Sequence, residues 1–175
     1  HRPVSDRLRF MSHPHILDRS NAVLVVVDVQ DILLRSIYES ERVVANSVRL
    51  IEAAKVFGLP VIVTLQYASK WGDCTQAVVD VVGHSERFDK MTFSCMGGEG
   101  FAEKPVGIGR QQVILCGIET HVCVNQTAHD LLAAGYSVHI MKDAVSSRTP
   151  ENRAVGIEKM RGSGCVIAST EMAIF

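Results

Sequence analysis

Three residues of this 175-residue chain could do chemistry together: a cysteine, a carboxylate and a lysine, each beside a short apolar run. The cysteine is Cys123, in Val113-Ile114-Leu115-Cys116-Gly117-Ile118-Glu119-Thr120-His121-Val122-Cys123-Val124-Asn125. The first four residues are too few for a helix and β-branched enough for a buried strand. The run breaks at Gly117 and restarts as a helix, in which Val124, Thr127, Ala128, Leu131 and Leu132 recur at three- and four-residue spacing. Cys123 then falls in the helix's first turn, where unpaired N–H groups and the positive end of the dipole favour a thiolate. A strand, a tight turn and a helix-borne cysteine suit a nucleophile. A small buried core residue is the other reading. Asp28 closes the run Ala22-Val23-Leu24-Val25-Val26-Val27. Such a run fits a parallel strand covered on both faces, and open α/β sheets bind ligands at the carboxyl ends of their strands. A turn or a helix cap would equally place an aspartate there. Lys90, in Phe88-Asp89-Lys90-Met91-Thr92-Phe93-Ser94, has only its position to mark it, because most lysines are solvated.

The elements that must position these residues follow a regular order. Residues 1–20 are polar and read as an N-terminal arm, and residues 21–175 as one domain. Arg2, Arg7, Arg9 and Arg19 give the arm some transit-peptide character, which Asp6 and Asp18 oppose, and Met11 is a potential internal start. Glu41 to Phe57 predicts an amphipathic helix with Val44, Val48, Ile51, Ala54 and Lys55 in line, stopped by Gly58 and Pro60. Val61 to Leu65 predicts a second strand, residues 66–80 an irregular stretch, and residues 86–94 a third strand and its exit. Gly97-Gly98-x-Gly100 follows no strand in the dinucleotide pattern. A short helix is predicted near Glu99 to Lys104, a fifth strand over Ser137 to Asp143 and a loop over 144–148. Thr149 and Pro150 then start a helix that runs to about Arg161. Cys165 to Ser169 predicts the last strand, and 170–175 a helical turn. The class is α/β: a three-layer doubly wound sheet of six mainly parallel strands with helices on both faces. If the first and fourth strands are neighbours, Asp28 and Cys123 face one crevice at the carboxyl edge of the sheet.

Bulk properties narrow the function. The chain is 47% hydrophobic and 21% charged with a net charge of -1, so it has no global attraction for nucleic acid. No basic and aromatic stripe for single-stranded RNA is evident, and no run nears the roughly 18 apolar residues of a membrane span. The five cysteines, Cys74, Cys95, Cys116, Cys123 and Cys165, show no C-x-x-C spacing, which argues against structural zinc and for a reducing compartment. The cytoplasm is therefore expected, with the mitochondrion as the alternative.

Val26-Val27-Asp28-Val29-Gln30, Phe88 to Ser94 around Lys90, and Gly117-Ile118-Glu119-Thr120-His121-Val122-Cys123-Val124 together resemble the isochorismatase-like cysteine hydrolases over residues 20–175. Ile62 to Tyr67 and Asp143 to Arg148 are most similar to the isochorismatase domain-containing subgroup, which has no settled substrate. The resemblance implies the strand order 3-2-1-4-5-6 and a Cys–Asp–Lys triad of Cys123, Asp28 and Lys90. Asp28 would take the thiol proton, and Lys90 would favour the thiolate and hold the carboxylate ionised. Attack on a carbonyl would give an oxyanion, then a thioester, then hydrolysis. The resemblance also implies a cis peptide between Ile118 and Glu119, with the N–H groups of Glu119 and Cys123 as an oxyanion hole. Gln30, Tyr67 and Phe93 are the candidate substrate-pocket residues.

Departures from the family refine this. Nicotinamidase-type members carry an Asp and two His after the second strand, whereas this chain has Thr64-Leu65-Gln66-Tyr67. No catalytic metal and no cofactor are therefore expected, and nicotinamide is disfavoured. Cys123 favours an amide or other small acyl substrate. Of the histidines, His121 is expected to pack or line the pocket, His129 and His139 to be structural, and His13, His15 and His84 to be solvated. Two other readings stay open: a ribonuclease, since some protozoan members of the subgroup carry a mitochondria-associated ribonuclease label, and a non-enzymatic interaction module. The family's habit implies a homo-oligomer.

Overall fold

The computed structural model describes residues 13–83, 85 and 87–175, with 105–107 described as backbone only. His84, Glu86 and the first twelve residues, with Arg2, Arg7, Arg9 and Met11, lie outside the described residues. The elements are β1 (Ala22–Val27), α1 (Asp31–Leu34), α2 (Ser40–Phe57), β2 (Val61–Gln66), α3 (Ala68–Trp71), α4 (Gln76–Val82), β3 (Arg87–Lys90), α5 (Glu103–Ile108), β4 (Gln112–Ile118), α6 (Asn125–Ala133), β5 (Ser137–Ser146), α7 (Pro150–Gly162), β6 (Val166–Ala168) and α8 (Thr170–Ile174). A 3₁₀ turn spans Cys95–Gly97 and a π turn spans Thr120–Val124.

The six strands form one all-parallel sheet in the order β3-β2-β1-β4-β5-β6, as expected. All six residues of β1 are buried, because both faces of this central strand are covered. Its side chains alternate between the two faces: Leu24 and Val26 pack with Ile51 and Ala54 on the α2 face, while Val23 and Val25 pack with Leu131 and Met160 on the α6–α7 face. Val27 pairs with Thr64 of β2 and with Gly117 of β4, so the strand order reverses around β1 and the carboxyl ends of three strands converge.

Several elements differ from the sequence expectation. The buried stripe of α2 is Val43, Asn46, Ser47, Leu50, Ile51 and Ala54 rather than a Val44–Val48 line. Asn46 faces inward because its Nδ2 donates to the carbonyl of Asp143, 2.7 Å away. The irregular stretch after β2 holds two short helices, α3 and α4, with Val78 and Val82 of α4 buried. β3 stops at Lys90, where the chain wraps its own ammonium group: Nζ donates to the carbonyls of Thr92 at 3.2 Å and Phe93 at 3.1 Å. β4 passes through Gly117 to Ile118. β5 runs on to Ser146, held by pairing of Val145 with Gly117 and of Ser146 with Ile118. Thr149 caps α7, its Oγ1 accepting the N–H of Asn152 at 3.2 Å, as its type and position predicted. Residues 13–20 lie against the start of β4, where Gln112 accepts the N–H of Asp18 and donates to the carbonyl of Ile16.

Candidate active site

Asp28, Lys90 and Cys123 come from three separate segments and meet in one place. Asp28 follows β1 directly and is 1% exposed. Its backbone is left-handed, with φ of 52°, which turns the chain sharply out of the strand and leaves the carboxyl over the sheet's edge. Lys90 ends β3 with its side chain fully buried, and its Nζ lies 2.7 Å from Asp28 Oδ2. The same ammonium donates to Gln66 Oε1 at 2.5 Å. A buried cation and a buried carboxylate are tolerable only because each satisfies the other and further polar groups satisfy both. Cys123 sits in the π turn between β4 and α6, is 8% exposed, and lines the same cavity as Asp28, whose charge it senses.

The electrostatics revise the expected thiolate. Burial first, then the Asp28 carboxylate, pushes the Cys123 thiol up to about 12, with Lys90 opposing. The resting sulfur is therefore a protonated thiol beside a carboxylate. The dipole of a helix N-terminus is the weaker influence where the side chain is desolvated beside an anion. Burial also raises the carboxyl of Asp28, although Lys90, Thr64 and Cys123 pull it down. A raised carboxyl is a stronger base toward the thiol. For Lys90, burial acts to lower the ammonium, but the charge of Asp28 and its hydrogen bond outweigh it and hold the group protonated.

The backbone at the end of β4 completes the geometry. The peptide between Ile118 and Glu119 is cis. The Glu119 carbonyl accepts the N–H groups of Val122 and Val124, both at 3.1 Å, which sets the π turn that carries Cys123. The Glu119 carboxylate accepts the backbone N–H of Arg148 at 2.9 Å and its Nε at 3.2 Å.

A cavity of about 270 Å³ opens on Asp28 and Cys123, with Leu33, Ile37, Trp71, Phe93, Ile118 and Val122 as apolar wall and Ser36, Gln66, Glu119 and Arg148 as polar groups. Phe93 thus lines it. Gln30 and Tyr67 do not. Gln30 is fully buried, its Nε2 donating to the carbonyls of Gln66 and Gly72 and its Oε1 accepting the N–H of Gln66, so it ties the ends of β2 and α3 together. Tyr67 also has a left-handed backbone, and its ring packs 6.0 Å from that of Trp71. Trp71, in the stretch after β2 expected to wall the pocket, does line it, whereas the contributions of Leu33, Ser36, Ile37, Gln66, Val122 and Arg148 were missed. Gln66 is marked in sequence only as a polar residue closing an apolar strand, and Arg148 only as the charge after the predicted fifth strand. His121 bonds Ser147 through Nδ1 at 2.8 Å, and His129 holds the Asn125 carbonyl and Ser163. His139 is buried with its Nε2 3.2 Å from Ser137 Oγ; burial, then the charge of His15, lowers it to about 4.

Comparison with known proteins identifies the family and supports the fold. The model of the isochorismatase domain matches residues 22–172. The secreted isochorismatase effector Isc1 of Phytophthora sojae is 40% identical over 159 residues, 89% of this chain and 76% of that protein. Isochorismatase domain-containing protein 1 of Danio rerio is 34% identical over 90% of this chain, which spans little more than half, 56%, of that relative. Among solved structures, the MAR1 ribonuclease of Caenorhabditis elegans superposes with a TM-score of 0.85 at 34% identity, covering 91% of this chain and 82% of that one. The domain match and the extent of these likenesses place the chain in the isochorismatase family.

Proposed function

We propose that this chain is a metal-independent cysteine hydrolase that opens a small amide or related acyl substrate through a thioester. The observation that carries this is the meeting of a thiol, a carboxylate and an ammonium group in one buried cluster at the floor of a small cavity. Cys123 is the nucleophile, Asp28 the base and Lys90 the fixed countercharge. As sulfur attacks the carbonyl carbon, the thiol proton passes to Asp28 and the carbonyl oxygen takes up the electron pair. The N–H groups of Glu119 and Cys123 are the proposed donors to that oxyanion. Collapse expels the amine, which receives the proton from Asp28. Water, giving its proton to the same carboxylate, then attacks the thioester and releases the acid and the thiol. Lys90 limits the swing in buried charge as Asp28 changes protonation.

The test is a panel of small amides and esters assayed with wild type and Cys123→Ala. The expected result is turnover that falls at least about 10³-fold in the variant, with an acyl adduct on Cys123 seen by mass spectrometry. Turnover that survives the substitution removes Cys123 from the mechanism.

A second reading has one specific support, the name of the Caenorhabditis elegans structural relative, a ribonuclease. RNA cleavage by pure protein that persists in Cys123→Ala would separate that activity from the triad. Assembly into a homo-oligomer belongs to the same proposal as the family resemblance, and exposed Met172 and Phe175 offer apolar surface for it.

A further inference from the structure

Thr64 is a polar residue, wholly buried, in the apolar strand Val61-Ile62-Val63-Thr64-Leu65-Gln66. A buried hydroxyl is costly unless it is hydrogen-bonded, so its partners identify what it does. They are both ends of one residue. The Thr64 carbonyl accepts the backbone N–H of Asp28 at 3.2 Å, and Thr64 Oγ1 donates to Asp28 Oδ1 at 2.8 Å. Lys90 takes the other carboxylate oxygen.

We propose that Thr64 is a positioning residue for the Asp28 base, acting with Cys95 through a buried chain of hydrogen bonds. This rests on the Cys123–Asp28–Lys90 reading above. A hydroxyl has one proton and can accept as well as donate. Cys95 Sγ donates to Thr64 Oγ1 at 3.7 Å, which leaves the threonine proton for the carboxylate. Cys95 is itself seated by its N–H on Thr127 Oγ1, 2.9 Å away. Thr127 lies on α6, one helical turn beyond Cys123. The chain Thr127–Cys95–Thr64–Asp28 therefore runs from α6, the helix that follows the nucleophile's turn, to the base. It fixes the rotation of the carboxyl and stabilises its charged form, so that Asp28 is ionised when substrate arrives in spite of its burial.

Among the described residues, the charged and titratable groups around Asp28 are few. Lys90 faces it from β3, Cys123 from the π turn, Cys95 from the 3₁₀ turn and Cys74 from the segment before α4. Burial pushes Cys123 and Cys74 up to about 12 and Cys95 to about 11, so these thiols stay protonated through neutral pH. Among the described residues, Glu119, paired with Arg148, is the other carboxylate on the cavity wall. Asp28 is thus the group whose ionisation the thiol senses directly.

The experiment needs no substrate. The rate of Cys123 alkylation by iodoacetamide is followed from pH 4.5 to 8.5 in the full chain, with the modified peptide identified by mass. The wild-type rate rises along an acid limb set by ionisation of Asp28, and Asp28→Asn abolishes the limb, which assigns it to Asp28 rather than to Glu119. Loss of a hydrogen bond to a charged group moves that limb upward by about one pH unit in Thr64→Val. Thr64→Ser restores it, and Cys95→Ala gives a smaller shift in the same direction. A limb that stays at its wild-type pH in Thr64→Val, with the rate merely lowered throughout, overturns the proposal, as does a serine variant that behaves like the valine. If Thr64→Val does not fold, Cys95→Ala carries the test, and an unmoved limb there overturns the proposal. An acid limb that survives Asp28→Asn is a different failure, since it removes Asp28 as the base and the parent reading with it.

Discussion

At the residue scale, the site balances one positive and one negative charge that water does not reach. The Lys90 side chain is 0% exposed and that of Asp28 1%. Removing one member of such a pair strands the other, which typically costs about 3–5 kcal/mol. Lys90→Met should therefore lower the unfolding free energy by about that amount at pH 7, measured by urea titration. The pH dependence has a definite sign. Burial raises the folded-state carboxyl of Asp28, and Lys90 opposes that rise. Without Lys90 the carboxyl rises further, so the folded variant takes up a proton at a pH where the unfolded chain does not. The deficit is therefore full above the folded-state value and shrinks as the pH falls below it. A deficit that is the same at pH 7 and pH 5 would mean that Asp28 is not the stranded charge. The same balance explains why the expected thiolate is not the resting state: Lys90 is already matched by Asp28, and the sulfur keeps its proton.

At the element scale, close contact between β1 and β4 brings Asp28 and the Cys123 turn together. Gly117 has φ of 113°, and a Cβ there would sit 2.0 Å from the carbonyl oxygen of Val27. That overlap is with backbone, which cannot swing away as a side chain can. Gly117→Ala should cost about 2–5 kcal/mol from left-handed strain and overpacking combined, and should slow Cys123 alkylation by displacing the turn. Calorimetric unfolding checks the first effect, and a loss under about 1 kcal/mol would show that the two strands can separate freely. Continuous apolar runs made β1 and β2 legible, three- and four-residue spacing made α6 legible, and the Thr149–Pro150 start marked α7, because these signals are local to each element. The sequence reading missed α4, whose Val78, Val79, Val81 and Val82 suit a strand as well as a helix. It also ended β5 too soon, because Asp143 to Ser146 is held by distant groups: Arg42 and Asn46 on the Asp143 carbonyl, and Ser146 Oγ on the carbonyl of Tyr38. Gln30 and Tyr67 were misplaced for the same reason. Their types suit a pocket, but their partners, on β2 and beside Trp71, are set by the way the chain folds back after β2.

At the scale of the whole molecule, the charge distribution bears on which substrates the site meets. The chain carries 18 Lys and Arg against 19 Asp and Glu, and at the site Lys90 is matched by Asp28 and Arg148 by Glu119. RNA binding without sequence preference draws on cations left free to displace counterions from phosphates. A 270 Å³ cavity, about nine times a water molecule's share of liquid volume, suits a small group rather than a folded polymer. The expected outcome is weak RNA binding: a labelled 20-nucleotide single strand at physiological salt should give a Kd no tighter than about 10⁻⁴ M by fluorescence anisotropy. A Kd near 10⁻⁶ M that weakens steeply as salt is raised would reveal a concentrated basic surface and favour the ribonuclease reading. Competition then separates the two activities, because a small acyl substrate that saturates the cavity should block alkylation of Cys123 while leaving any RNA bound to the outer surface in place.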